Sequence, residues 1–152
     1  MKGDPIVSND WAALQEKLAA AFAGFLEVCG QLDSRLYENT TIDGQWSAKD
    51  VVAHLTGWDH EATERFWRFL AGPTEDITYN ADEFNSRSVA ARQHFSYSQA
   101  LKELKTVHRG LEEAIAAVQP EDLESEGRFV EWLEALSKHY AEHTKQLRRL
   151  VG

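Results

Sequence analysis

Sulphur and proline are scarce in this chain: one cysteine, one methionine and three prolines stand among 152 residues. A lone cysteine, Cys29, rules out an intrachain disulfide and any Cys-x-x-Cys motif, and it suits a reducing, cytoplasmic location. No apolar run approaches the about 18 residues that a membrane-spanning helix needs. The opening Met1-Lys2-Gly3-Asp4-Pro5 leads into no apolar stretch, so no signal peptide is expected. Basic residues are also in the minority, 16 against 25 acidic, for a net charge of −9. That balance disfavours binding to nucleic acid or to an anionic membrane surface. The densest basic group, Lys145, Arg148 and Arg149, needs no ligand, since cations complement the C-terminal end of a helix. Neither a glycine-rich phosphate loop nor a Ser-His-Asp motif is present, so P-loop nucleotide binding and serine nucleophile chemistry have no support.

Aromatic residues are abundant by contrast: five Trp, seven Phe and four Tyr. With 43% hydrophobic and 27% charged residues the composition is that of a globular protein. A single domain over 1–152 is expected, and a chain of this length buries roughly 70% of its unfolded surface without disulfides.

Four long stripes of apolar residues recur at steps of three and four, the spacing of a packed helix face. The first runs from about Asn9 to Leu32 through Trp11, Leu14, Leu18, Ala21, Phe25, Val28 and Leu32. Asn9 or Asp10 is its expected cap, Gly30 a weak point near its end, and Cys29 falls on its buried side. After a loop over 39–45, Ser47-Ala48-Lys49-Asp50 reads as a capping box that opens the second helix, with Trp46 placed to staple onto Val51. That stripe continues through Leu55, Trp58, Ala62, Phe66 and Phe69 to the stop at Ala71-Gly72-Pro73. A loop over 73–80 precedes a short helical segment over 81–92. Ser96 caps the third long helix, carrying Tyr97, Leu101, Leu104, His108, Leu111, Ile115 and Val118. Gln119-Pro120 ends it, and 120–123 reads as a turn or a short helical turn. The last helix, from about Arg128 to Leu150, carries Phe129, Leu133, Leu136, Tyr140, His143, Leu147 and Leu150. The expectation is an all-α four-helix bundle with a short extra helical segment in its long second connection.

Three histidines lean inward. His139 and His143, four apart, share one helix face about a turn apart. His54 stands three after Val51 and four before Trp58, inward on a different helix. A buried imidazole needs partners on both nitrogens, and a divalent metal satisfies one nitrogen on each ring at once. Three protein ligands would leave open positions on the ion, where reactive chemistry occurs. His108 occupies a core slot between Leu104 and Leu111. It reads as a fourth ligand, a group supporting the ligands or, preferably, a plain core histidine. His60 and His94 fall off the stripes and are expected outside. Asp50 is a turn before His54, but the capping box already uses it. Glu61, two turns after His54, and Asp59 could act as a general base, with a solvated face the preferred account of both. Glu142 should point away. Tyr140 reads as packing more than as an acid, and Trp58 as core filling or as one wall of a substrate pocket.

The segment Trp46-Ser47-Ala48-Lys49-Asp50-Val51-Val52-Ala53-His54-Leu55 resembles the start of the second helix in DinB-like (damage-inducible) four-helix-bundle proteins. His139-Tyr140-Ala141-Glu142-His143-Thr144-Lys145-Gln146-Leu147 resembles their closing helix. Phe84-Asn85-Ser86-Arg87-Ser88-Val89-Ala90 and Pro120-Glu121-Asp122-Leu123 are more similar to the ClbS/DfsB-like branch, named for colibactin self-resistance. The resemblance spans nearly the whole chain. It implies a divalent metal (zinc, nickel or iron) on His54, His139 and His143, and a homodimer. It implies a small electrophilic substrate met by hydrolysis or by transfer to a low-molecular-weight thiol cosubstrate, in a stress or detoxification role. It equally admits a noncatalytic or metal-free bundle that binds a toxin.

Overall fold

The structure is a computed structural model and describes residues 8–151; the expectation about Met1–Pro5 lies outside them. Six helices make up almost all of it: α1 (Ser8–Gln31), α2 (Ala48–Ala71), α3 (Ala81–Ala90), α4 (Tyr97–Ala116), α5 (Pro120–Ser125) and α6 (Arg128–Arg148). The four long helices form the bundle. α3 is the extra segment in the second long connection, and α5 is the short helical turn at Pro120.

Local chemistry sets the starts. Ser47 Oγ accepts the Asp50 amide at 3.1 Å while Asp50 Oδ2 accepts the Ser47 amide at 3.2 Å, a complete capping box. Ser96 and Gln99 repeat the device at α4, at 3.1 and 2.8 Å. Asn80 caps α3 by accepting from the Glu83 amide at 3.1 Å. α1 begins at Ser8, so Asn9 and Asp10 lie inside its first turn and not at its cap. Gly30 stays helical; the weak point does not break α1 before Gln31. α6 ends at Arg148, short of the expected Leu150.

One stretch read as plain loop carries order. Thr41–Ile42 (β1) pairs antiparallel with Trp46–Ser47 (β2). The turn between them places Asp43 at φ 54° and Gly44 at φ 73°, and alternation over two residues per strand is too short a signal to see in sequence. The hairpin leads directly into the capping box, so it fixes where α2 begins. Lys49, nearly buried, ties that start to the turn before α4 by donating to the carbonyls of Gln93 and Phe95 at 2.9 and 2.8 Å.

α1 packs along α6 and α2 along α4, whereas α2 and α6 meet more lightly. The ring pairs His54–His139, Trp58–Trp132 and Phe66–Phe129 ascend α2 while descending α6, so the two run antiparallel. Phe66, Phe129, Leu133 and Leu147 are among the fully buried side chains of the core. Trp58 of α2 and Trp132, Leu136 and His139 of α6 line a cleft on the seam between the two helices.

Candidate metal centre

His54 on α2 and His139 and His143 on α6 meet at one end of that seam. One ring nitrogen from each lies within 4.8 Å of the others. His54 Nε2 and His139 Nε2 stand 2.7 Å apart, one donating and the other accepting. Two ligands held at about 2.1 Å by one tetrahedral ion stand about 3.4 Å from each other. The observed spacing, 2.7 Å for one pair and no more than 4.8 Å for any, is of the same order, so the three nitrogens could hold one ion.

The rings are in the right protonation state for ligation, which requires neutral imidazole. Burial first, then the adjacent imidazoles, push His54 down to about 3. Burial and His143 push His139 down to about 4. Burial lowers His143 as well, with Gln146 opposing it.

The outer nitrogens show why the sequence surrounds these histidines as it does. His143 Nδ1 donates to Gln146 Oε1 at 2.6 Å, and Gln146 Nε2 donates to Asp43 Oδ2 at 2.7 Å. A proton fixed on Nδ1 leaves the Nε2 lone pair free for a ligand. His54 Nδ1 is buried and has no hydrogen-bond partner among the described residues. Asn85 of α3 stands beside that ring and favours its protonation, and its Oδ1 already accepts from Trp58 Nε1 at 2.7 Å. A metal on Nε2 would put the proton on Nδ1, the nitrogen that now lacks a partner. Trp46 lies against His54 with ring centroids 4.6 Å apart.

The other candidates sort cleanly. Asp50 is spent on its cap. His108 is apart from the cluster: its Nδ1 meets Asp59 Oδ2 at 2.6 Å, and its ring stacks on Phe22 at 3.6 Å between centroids. It is a core histidine. Asp59, expected on a solvated face, is instead fully buried, and Tyr140 also donates to its Oδ2 at 2.7 Å. Tyr140, itself fully buried, is therefore packing with one hydrogen bond. Glu61 is half-buried and accepts from the Tyr79 hydroxyl at 2.5 Å. His60, His94 and Glu142 are exposed, as their positions off the stripes required.

His139 also lines a cleft of about 340 Å³ with Trp58, Tyr79, Glu131, Trp132 and Leu136. Trp58 is thus a pocket wall, stacked on Phe84 of α3 at 4.1 Å. Asp43, Tyr79, Asn85, Trp132 and Gln146 were not singled out from the sequence. Only Gln146 left a signal there, lying three residues after His143 and hence on its face.

Residues 12–147 match the sequence model of the DinB superfamily, and the chain belongs to that superfamily. No curated protein matches it. Two solved structures share its fold. An uncharacterised protein from Escherichia coli UTI89 is 16% identical with a TM-score of 0.76, covering 92% of this chain and 91% of that one. A protein described as Sibling Lethal Factor Precursor - DfsB is 15% identical with a TM-score of 0.78, covering 91% of this chain and 93% of that one. No described helix is long and apolar enough to cross a membrane.

Proposed function

We propose that this DinB-superfamily bundle is a divalent-metal enzyme acting on a small electrophile, with His54, His139 and His143 as the metal ligands. The observation that carries the reading is the convergence of three imidazoles, within 4.8 Å, at the end of an aromatic cleft that one of them lines. Such a site supplies a Lewis acid able to deprotonate water or a thiol at neutral pH. The protein's share is to hold and to exclude. Gln146 and Asp43 orient His143, Asn85 stands ready to orient His54, and Trp46 shields that ring. Trp58, Tyr79 and Trp132 offer apolar walls to the substrate and keep water from its flanks.

Borderline ligand chemistry, three nitrogens and no thiolate, suits zinc, nickel or iron. Hydrolysis and transfer to a low-molecular-weight thiol use the same centre, in the cytoplasm where such thiols are reduced. The homodimer implied by resemblance belongs to the same proposal; Trp67 and Ile77, each 47% exposed, are large apolar side chains open to a second copy. The alternative, a noncatalytic binding bundle, predicts no bound metal or one closed by a fourth protein ligand. Against closure, His108 is turned away to Asp59.

Elemental analysis of protein purified without a histidine tag tests the assignment. Wild type should carry one metal per chain, and His54→Ala and His143→Ala should carry none while keeping their helical circular dichroism. Stoichiometric metal in both variants would reject it.

A further inference from the structure

The cleft does not end at Trp132. A second cavity of about 360 Å³ continues it, sharing Tyr79, Glu131 and Trp132 with the first and reaching Arg65, Phe69 and Arg128. The two helices measure its length. Arg65 is eleven residues after His54 on α2, and Arg128 eleven before His139 on α6, which is about 16 Å along each axis. Together the two cavities run from His139, one of the three histidines, to the two arginines, with Trp58, Tyr79, Trp132 and Phe69 on their walls.

The two arginines differ in what they already hold. Arg128 is paired with Glu126 at 2.7 Å and with Asp76 at 2.5 Å. Arg65 is only 5% exposed, and among the described residues its one hydrogen bond runs from Nη2 to the Glu75 carbonyl at 3.3 Å. Among the described residues no carboxylate lies within ion-pair distance of it. Its guanidinium rests on the Phe69 ring, 5.2 Å from the centroid. A buried cation without a counter-charge is costly, and the cost is relieved by an anion with matching geometry. The planar fork of a guanidinium takes a carboxylate through two parallel hydrogen bonds. Glu131 and Asp76 on the same walls disfavour a doubly charged phosphate there.

We propose that Arg65 is the carboxylate subsite of this cleft, and that the ligand is an elongated small molecule with a carboxylate at one end and its reacting group at the other. The proposal rests on the metal reading for the reacting end only; the Arg65 end stands on its own geometry. A compact electrophile would leave the two cavities half empty and the Arg65 charge uncompensated. An extended acid spans both ends and lays its apolar middle on Trp58 and Trp132.

Mercaptoundecanoic acid and its methyl ester, titrated into zinc-loaded protein and followed by tryptophan fluorescence, test this. The acid should bind the wild type about tenfold or more tightly than the ester, the value of hydrogen bonds to a charged group. In Arg65→Met that preference should vanish, with zinc content and ester affinity unchanged. Arg65→Lys should retain part of it, and it serves as the reporter if the methionine variant does not fold. Equal binding of acid and ester by the wild type would overturn the proposal, as would a preference that survives the loss of Arg65. Dodecanoate against methyl dodecanoate on metal-free protein repeats the comparison without the histidines. A preference that depends on Arg65 there, in a protein that takes up no zinc, would keep this subsite and discard the metal centre.

Discussion

His143 Nδ1 and Gln146 Oε1 stand 2.6 Å apart on successive turns of α6, and the amide passes the contact on to Asp43 in the hairpin ahead of α2. The hairpin that positions the start of α2 is thereby linked to a histidine of α6. A single carboxamide thus ties α6 to the hairpin from which α2 starts.

Gln146→Ala should therefore weaken zinc about 10–100-fold, the usual effect of removing a group that orients a ligating histidine. Competition with a chromophoric chelator measures it. Asp43→Ala should give a smaller loss in the same direction, because Gln146 still reaches His143. Unchanged affinity in Gln146→Ala would mean that the ring is oriented by packing alone.

Gly57 lies where α3 crosses α2. A Cβ there would meet Ser88 Oγ at 2.1 Å and Ser88 Cβ at 2.7 Å. Gly57→Ala should push α3 away and destabilise the fold by about 1–3 kcal/mol, the range for overpacking. Since α3 carries Asn85 and Phe84, Trp58 should lose its hydrogen bond and its stacking partner, and the emission maximum should move to the red. Pairing the change with Ser88→Gly should recover much of the stability seen in urea titration. No recovery would place the strain elsewhere.

Asp59 joins three helices from inside the core, accepting from Tyr140 of α6 and meeting His108 of α4. Its other oxygen and His108 Nε2 are buried and have no partner among the described residues. Asp59→Ala removes the shared partner of two buried groups and should cost about 3–5 kcal/mol. Tyr140→Phe, which deletes one hydrogen bond to a carboxylate and keeps the ring, should cost less, about 1.5–3 kcal/mol. Chemical denaturation distinguishes the two; equal losses would show that the ring, not the network, is what matters.

Burial pushes the Cys29 thiol up to about 11. The unfolded thiol ionises near the ordinary value for cysteine, 9.0. Below that pH both states keep the proton and the stabilisation is intact; as pH rises from there through the folded value, the unfolded state releases its proton first and stability falls. Cys29→Ala should flatten this alkaline decline, whatever it costs in packing at neutral pH. In the native protein at neutral pH, iodoacetamide should modify Cys29 only at the rate of unfolding.

Much of the bundle was legible beforehand because helical period and capping are local. Ser47 with Asp50, and Ser96 with Gln99, announce helix starts from four residues each. His139 and His143 share a face in any α-helix, wherever the helix goes. Asp59 was misread for a physical reason: a carboxylate is seldom buried unless partnered, and its partners sit 49 and 81 positions away. The hairpin at Asp43 was missed because two residues per strand carry no period.

The chain's own pattern of apolar and capping residues was thus enough to determine four amphipathic helices, a short fifth segment between the second and third, and an inward lean for three imidazoles. Those properties depend on neighbours within about one turn. Tertiary packing alone decided that His54 meets His139, that Asn85 of α3 stands beside the His54 ring, and that Arg65 is left buried with no carboxylate in ion-pair reach among the described residues. Each depends on how far α2 stands from α6 and which residue of α2 yields to α3, and distances between helices are set by the summed packing of side chains from distant parts of the chain.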